Sequence, residues 1–259
     1  MVKTKAKQID ESPIAFTSAT GNERKPSLVW LKAAYQFHSF AYRDPRSAFS
    51  SAMGLPVVSP TTVLLGVAST LFCLDKANEA IGFLNAIHQC RVVVDPPKGV
   101  VFFRAFHQLR RYETDKYGPN PRMGMTDINQ GTREYGLVDG KLTLYVGVPE
   151  EHVERVKLAL INRDHIGTHD SLCSLAGEVE TCEEPVEVVY LPPETWQKKL
   201  PNGSGFTVVT LSRFRRDHEV RPTVGKHWWM AGGEDTELVP YLIKGRFRGT
   251  TRGKIYVKS

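Results

Sequence analysis

Residues 91–147 read RVVVDPPKGVVFFRAFHQLRRYETDKYGPNPRMGMTDINQGTREYGLVDGKLTLYVG. How this stretch is parsed decides the fold. We read it as a strand, a long basic excursion and a return strand. Phe102, Phe103, Phe106 and Leu109 suit an extended chain packed against a core. Leu142, Leu144 and Val146 alternate with Thr143 and Tyr145 as strand residues do. The segment between them is rich in Gly, Pro and Asn, too polar for a core and too long for an ordinary hairpin turn. Long loops on a rigid base are where function concentrates. From Arg104 to Arg133 the bases Arg104, Arg110, Arg111, Lys116, Arg122 and Arg133 face only Glu113, Asp115 and Asp127, a surplus of +3 that is half of the chain's formal +6. A basic projection dotted with aromatic residues suits a finger gripping an anionic polymer. A solvated loop without a ligand is the other reading of the same residues.

Outward from this stretch, 259 residues accommodate one large domain or two small ones sharing a core. A hydrophobic share of 41% and a charged share of 24% are those of an ordinary globular protein. No apolar run reaches the roughly 18 residues that cross a bilayer. The start, MVKTKAKQIDESPIAF, lacks the apolar stretch of an export signal. The expectation is a cytoplasmic protein with no membrane partner and a flexible segment at residues 1–26. The sequence pI near 9.1 permits nucleic-acid binding. The charge is unevenly spread: Glu150–Glu187 holds ten acids against three bases, while Lys244–Lys258 holds six bases and no acid. One acidic and one basic face are expected. Cys73, Cys90, Cys173 and Cys182 form no CxxC pair, which argues against a disulfide scaffold or a thiol redox motif.

In chain order, SLVWLKAAYQFHSFAY (27–42) predicts a first strand with Val29, Leu31, Ala33 and Tyr35 on one face. Ser59-Pro60 predicts a helix start with Ser59 as N-cap, and Gly66 and Ala68 would let that helix lie close to a sheet. A second helix is predicted over about 76–89. Beyond the finger and return strand, a third opens at Pro149 with Glu150, Glu151 and Glu154 in its first turns. Leu172–Val179 predicts another strand. The order β-α-β-β-α-β, with one extra helix, predicts an α+β, ferredoxin-like domain over 27–184, the fold of RNA-recognition modules. Residues 185–259 read as a β-rich region, either a small second domain or an elaboration of the first.

Three constellations offer chemistry. His165, His169, Cys173 and Cys182 have zinc-ligand identities, though without the usual tight Cys pair, and Cys173 sits in an apolar strand as a buried free thiol would. His107 beside Arg104, Arg110 and Arg111, with Tyr112 and Tyr117 nearby, would suit a metal-independent ribonuclease, where His or Tyr takes a 2′-hydroxyl proton and a cation steadies the phosphorane. The same residues also suit binding without cutting. KGRFRGTTRGK (244–254) interleaves Gly with Arg and Lys, so backbone and guanidinium forks can both approach phosphates. Phe214 among Arg213, Arg215 and Arg216, and Trp228-Trp229, offer stacking partners for bases. There is no P-loop, no GxGxxG after a strand and no carboxylate cluster for two metals.

SLVWLKAAYQFHSFAY, Gly54-Leu55-Pro56, SPTTVLLGVASTLF, the basic finger and IGTHDSLCSLAG, in this order, resemble the RAMP superfamily of CRISPR-associated proteins. Within it the resemblance is to the Cas-five family, which sits at the 5′ end of the guide RNA in type I (Cascade) complexes. Pro60-Thr61 and Leu64-Leu65-Gly66 stand where the family has a helix opening P-(S/T) and running on to L-L-G, and Gly167–Ser171 resembles its Gly-x-x-x-Ser-like element. The likeness spans about 27–177 and leaves the subtype open. It implies a non-catalytic RNA-binding subunit with no cofactor. A β-hairpin thumb at about 110–135 would bend the CRISPR RNA, against a backbone RAMP subunit and a large subunit, with target DNA reached only through the complex. Candidate RNA contacts are Arg43, Arg46, Arg104, Arg110, Arg111, Lys116, Arg122, Met123, Met125, Arg133, Arg213, Arg215, Arg246, Arg248 and Arg252. One subtype of the family instead cuts repeat RNA, which keeps His107, Lys116 and Tyr117 as the alternative.

Overall fold

The computed structural model describes residues 27–46, 51–111, 127–185, 190–192, 205–215, 235–250 and 253–259, with backbone only at 51–52, 107–111, 127–130 and 190–191. The expected flexible segment at 1–26, the finger's tip at 112–126, Arg216, Trp228 and Trp229 fall outside the described residues.

Strand β1 (Val29–Phe37) is the strand around which the main sheet forms, and its alternation is that of a half-buried strand: Leu31, Ala33 and Tyr35 are fully buried. The chain continues through β2 (Ser51–Ala52), α1 (Pro60–Cys73), α2 (Ala77–Asn85) with a 3-10 turn at Ile87–Gln89, β3 (Arg91–Asp95), β4 (Gly99–Arg111), β5 (Asp127–Asp139) and β6 (Leu142–Val148). A 3-10 turn at Glu150–His152 precedes α3 (Val153–Ile161). Then come β7 (Cys173–Leu175), β8 (Glu180–Cys182), β9 (Tyr190–Leu191), β10 (Phe206–Phe214), β11 (Thr236–Lys244), β12 (Arg246–Thr250) and β13 (Gly253–Val257). Among the described residues no helix is long and apolar enough to cross a membrane.

The main sheet runs β3-β6-β1-β7, with β8 also on β1, and every pairing is antiparallel. Counting β1, β3, β6 and the β7/β8 edge as strands one to four, the order is 4-1-3-2. This is the ferredoxin-like arrangement, with helices joining strands one to two and three to four. The fourth strand departs from the expected unbroken 172–179. Gly177 adopts φ +119, and the edge splits into β7 on Tyr35–Phe37 and β8 on Trp30–Lys32. On the sheet's helical side, Tyr35 Oη donates to the Leu160 carbonyl at 2.7 Å, an orphan acceptor at the end of α3.

Between strands two and three the chain leaves the main sheet. β4 and β5 pair from Gly99↔Asp139 outward in a second sheet of order β12-β13-β4-β5-β2. β10, β11 and β9 make a third. Leu211, Ile243 and Tyr256 belong to the same buried cluster as Leu31 and Leu144, so the strands after 185 share one core with those before it.

Two residues of α1 act differently from the sequence reading. Ser59 stands at the N-cap but makes no side-chain cap. Its Oγ accepts the Ser212 backbone N–H at 2.9 Å and ties α1 to β10. Gly66 makes room for an arginine rather than for a sheet. The Arg163 guanidinium lies across α1, donating to the carbonyls of Thr62 (3.1 Å) and Val63 (3.2 Å), and a Cβ at position 66 would fall 1.4 Å from its Nη2. Gly66→Ala should therefore lower stability by about 2 kcal/mol through loss of these buried bonds, against the roughly 1 kcal/mol gain that helix propensity alone gives. Urea unfolding of the two proteins reads the sign.

Candidate nucleic-acid interface

The β4–β5 hairpin is the structure's projecting element. With thirteen residues in β4, its strands run about 40 Å. Among the described residues, β13 lines β4 along Gly99–Phe103 and β2 lines β5 at Thr132–Arg133, and beyond those positions the arm is two-stranded. Pairing begins at Gly99, so the hairpin is longer than the expected 110–135.

A buried carboxylate fixes the root. Glu134 Oε2 accepts the Gly54 N–H at 2.8 Å and Lys254 Nζ at 2.8 Å, while Oε1 faces Arg104 Nε at 3.5 Å. Burial alone would raise the Glu134 carboxyl, but Lys254, the Gly54 N–H and Arg104 together pull it below its ordinary value. Phe102 fills the space under Gly54, where a Cβ would stand 2.6 Å from its ring. A second carboxylate, Asp170, holds Arg133 Nη1 and Tyr135 Oη, each at 3.2 Å. Lys254, which the sequence placed in a phosphate-binding loop, is instead spent on Glu134 and on the rings of Phe102 and Phe247.

The candidate contacts sort accordingly. Arg104 keeps a side chain 67% exposed despite Glu134. Arg133 is held at the root. Arg46 grips the buried Asp44 with Nε at 3.2 Å and Nη2 at 2.9 Å, and Arg213 pairs with Glu237 at 2.8 Å in the third sheet. Arg43 bridges to Gly54 beside the root. Arg246 and Arg248 are exposed on β12, and Arg215 is exposed at the end of β10. His107, Arg110 and Arg111 are placed by backbone register alone, opposite Gly131, Ile128 and Asp127. Lys116, Tyr117, Arg122, Met123, Met125 and Arg252 lie outside the described residues.

Of the four phenylalanine and leucine residues read as core, Phe102 is buried, while Phe103 is 42% and Phe106 64% exposed; Leu109 has backbone only. The strand continues past the edge of the core, so alternation no longer implies burial. Phe103 stacks on Tyr135 with ring centroids 6.1 Å apart. Phe103, with Tyr135 and Arg133, lies on one face of the hairpin and Phe106, with Arg104, on the other, so each face sets an exposed ring beside an arginine. The sequence pattern hid this, because an aromatic in a strand is normally core.

The zinc constellation does not assemble. Cys173 pairs with Phe37 and Cys182 with Trp30, seven residues apart along β1 and so about 23 Å. Burial pushes the Cys173 thiol up to about 11, away from the thiolate a metal needs. His165 turns its Nδ1 to Asp164 at 2.6 Å and its ring toward His169. Among the described residues no group of three metal-ligating side chains converges.

No protein-family model matches the chain, and no curated protein does. Among solved structures it is similar to a CRISPR protein from Archaeoglobus fulgidus, at 14% identity and TM-score 0.36, over 89% of this chain and 92% of that one. It is also similar to a chain of the Csm3-Csm4 subcomplex of a type III-A CRISPR-Cas interference complex, at 6% identity and TM-score 0.35, over 89% and 93%. Both likenesses are remote.

Glu134→Gln should destabilise the protein by about 2 kcal/mol at neutral pH, since the partly buried Lys254 ammonium loses its countercharge. A depressed carboxyl contributes stability above its unfolded value, and that contribution is lost as the pH falls through the folded one. The difference between the two proteins in denaturant midpoint should hence shrink as the pH falls below about 4.

Proposed function

We propose that the chain is a non-catalytic RNA-binding subunit of a multi-protein CRISPR effector, capping the 5′ handle of the guide RNA in a type I (Cascade) complex. One observation carries this reading: a two-stranded basic arm is inserted between strands two and three of a ferredoxin-like sheet, its root locked by Glu134 and its flank carrying exposed rings. The motif order that resembles the Cas-five family supports it. The arm supplies what bending an RNA needs: a lever stiff at its base, cations for phosphates and rings for bases. Arg104, Arg246 and Arg248, all exposed, offer further phosphate contacts. On this reading the partners are the CRISPR RNA, a backbone RAMP subunit and a large subunit, with target DNA engaged through the assembly.

The test combines a native gel and a denaturing gel on one set of samples, with end-labelled repeat RNA and EDTA throughout. The expected result is a salt-sensitive shift with intact RNA. Replacing Arg110, Arg111 and Arg122 together by Gln should weaken binding by about 3 kcal/mol, roughly 1 for each lost phosphate contact. A discrete cut in EDTA would overturn the non-catalytic assignment and make His107, Lys116 and Tyr117 the first residues to change.

A further inference from the structure

Among the described residues, the buried cation Arg163 has no counterion. The residue is only 5% exposed. Nε donates to the His165 carbonyl at 3.1 Å, Nη1 to Val63 at 3.2 Å and Nη2 to Thr62 at 3.1 Å. These bonds use three of the guanidinium's five N–H groups and answer none of its charge. Among the described residues no carboxylate lies within ion-pair distance of it. Its neighbour Asp164 turns outward, 83% exposed, onto His165. Buried charges in proteins are as a rule paired, so the missing partner calls for an explanation.

The guanidinium forms part of the wall of a cleft of about 360 Å³ between α1 and the turn at 163–168. Arg43 and His165 stand in the same wall with Tyr42, Thr62 and Thr168, the exposed Ser69 lies at its rim, and among the described residues no acidic side chain lines it. Gly167 adopts φ +94 there and brings the backbone against Tyr42. Cations and a close backbone turn, with no carboxylate among the described lining residues, form a set suited to an oxyanion. The cleft also adjoins the arm. Two residues beyond Thr168, Asp170 holds Arg133 and Tyr135 of β5, and Arg43 bridges to Gly54, whose N–H rests on Glu134.

We propose that this cleft is an oxyanion site that seats one phosphate of the RNA gripped by the arm. The assignment rests on the RNA-binding reading above. A phosphate is favoured over a partner protein's carboxylate because Asp170, two residues beyond Thr168, ties the cleft to Arg133 and Tyr135 of the arm, and Phe103 stacks on that same Tyr135. The seated phosphate supplies the countercharge that Arg163 lacks and anchors the strand where it leaves the arm.

Ser69 is exposed on α1, so it can be changed without disturbing the core. Ser69→Glu places a competing carboxylate at the rim, and Ser69→Gln is its neutral control. All three proteins should share one melting temperature. With single-stranded repeat RNA, wild type and Ser69→Gln should bind alike. Ser69→Glu should bind about tenfold more weakly, with a salt slope flatter by about 0.7, the value of one single-strand phosphate contact. Inorganic phosphate, against chloride at equal ionic strength, should weaken RNA binding by wild type and Ser69→Gln but not by Ser69→Glu. Equal RNA binding by all three proteins overturns the inference while leaving the arm's role standing. Absence of RNA binding by every form overturns the RNA-binding reading and this assignment with it.

Discussion

The architecture hangs on a buried carboxylate that joins three parts of the chain. Glu134 lies on β5, Gly54 lies in the loop before α1, and Lys254 lies on β13. A carboxylate out of water is tolerated only when its oxygens are met, and here an N–H and an ammonium meet them. The consequence is geometric. The hairpin leaves the main sheet through the short turns on either side of β4 and β5, which alone would allow it to swing. Three contacts at one carboxylate, with Asp170 holding Arg133 and Tyr135 on the same strand, give the root one direction. A lever is useful only if its base does not yield.

The order of elements was legible because each carried its own periodicity. Leu31, Ala33 and Tyr35 alternate on β1, Val63, Leu64, Val67 and Leu71 recur at helical spacing, and Leu142, Leu144 and Val146 alternate on β6. Order then determined the ferredoxin-like arrangement, since connections that avoid crossings leave few alternatives. The hairpin was legible as a basic excursion, but its length was not, because pairing at Gly99↔Asp139 carries no local signature.

What sequence could not show were contacts between residues far apart. Gly66 and Arg163 are nearly a hundred positions apart, and nothing near either announces the other. Lys254 looked like a phosphate contact because it sits among Arg and Gly, yet its partner is on another strand. Ser59 looked like a cap and serves β10 instead. Phe103 and Phe106 were misread for a different reason: alternation reports which side a residue faces, and only the fold says whether anything is there. The surface suited to stacking bases was therefore invisible until the core's edge was known.

The partnership of β13 with β4 also bears on how the protein comes to be made. Phe103 finds its partner Gly253 only after another 150 residues have been added. At the usual 5–20 residues per second of synthesis, that is a delay of roughly 8–30 s. Until then one edge of β4 has unpaired backbone donors and acceptors, and beside it lie Val101 and Phe103, which stay exposed even in the finished fold. An open edge with apolar neighbours is a template for other nascent chains. In a crowded translating cell, the hairpin that projects from the fold is thus also the segment most in need of shielding from its own copies.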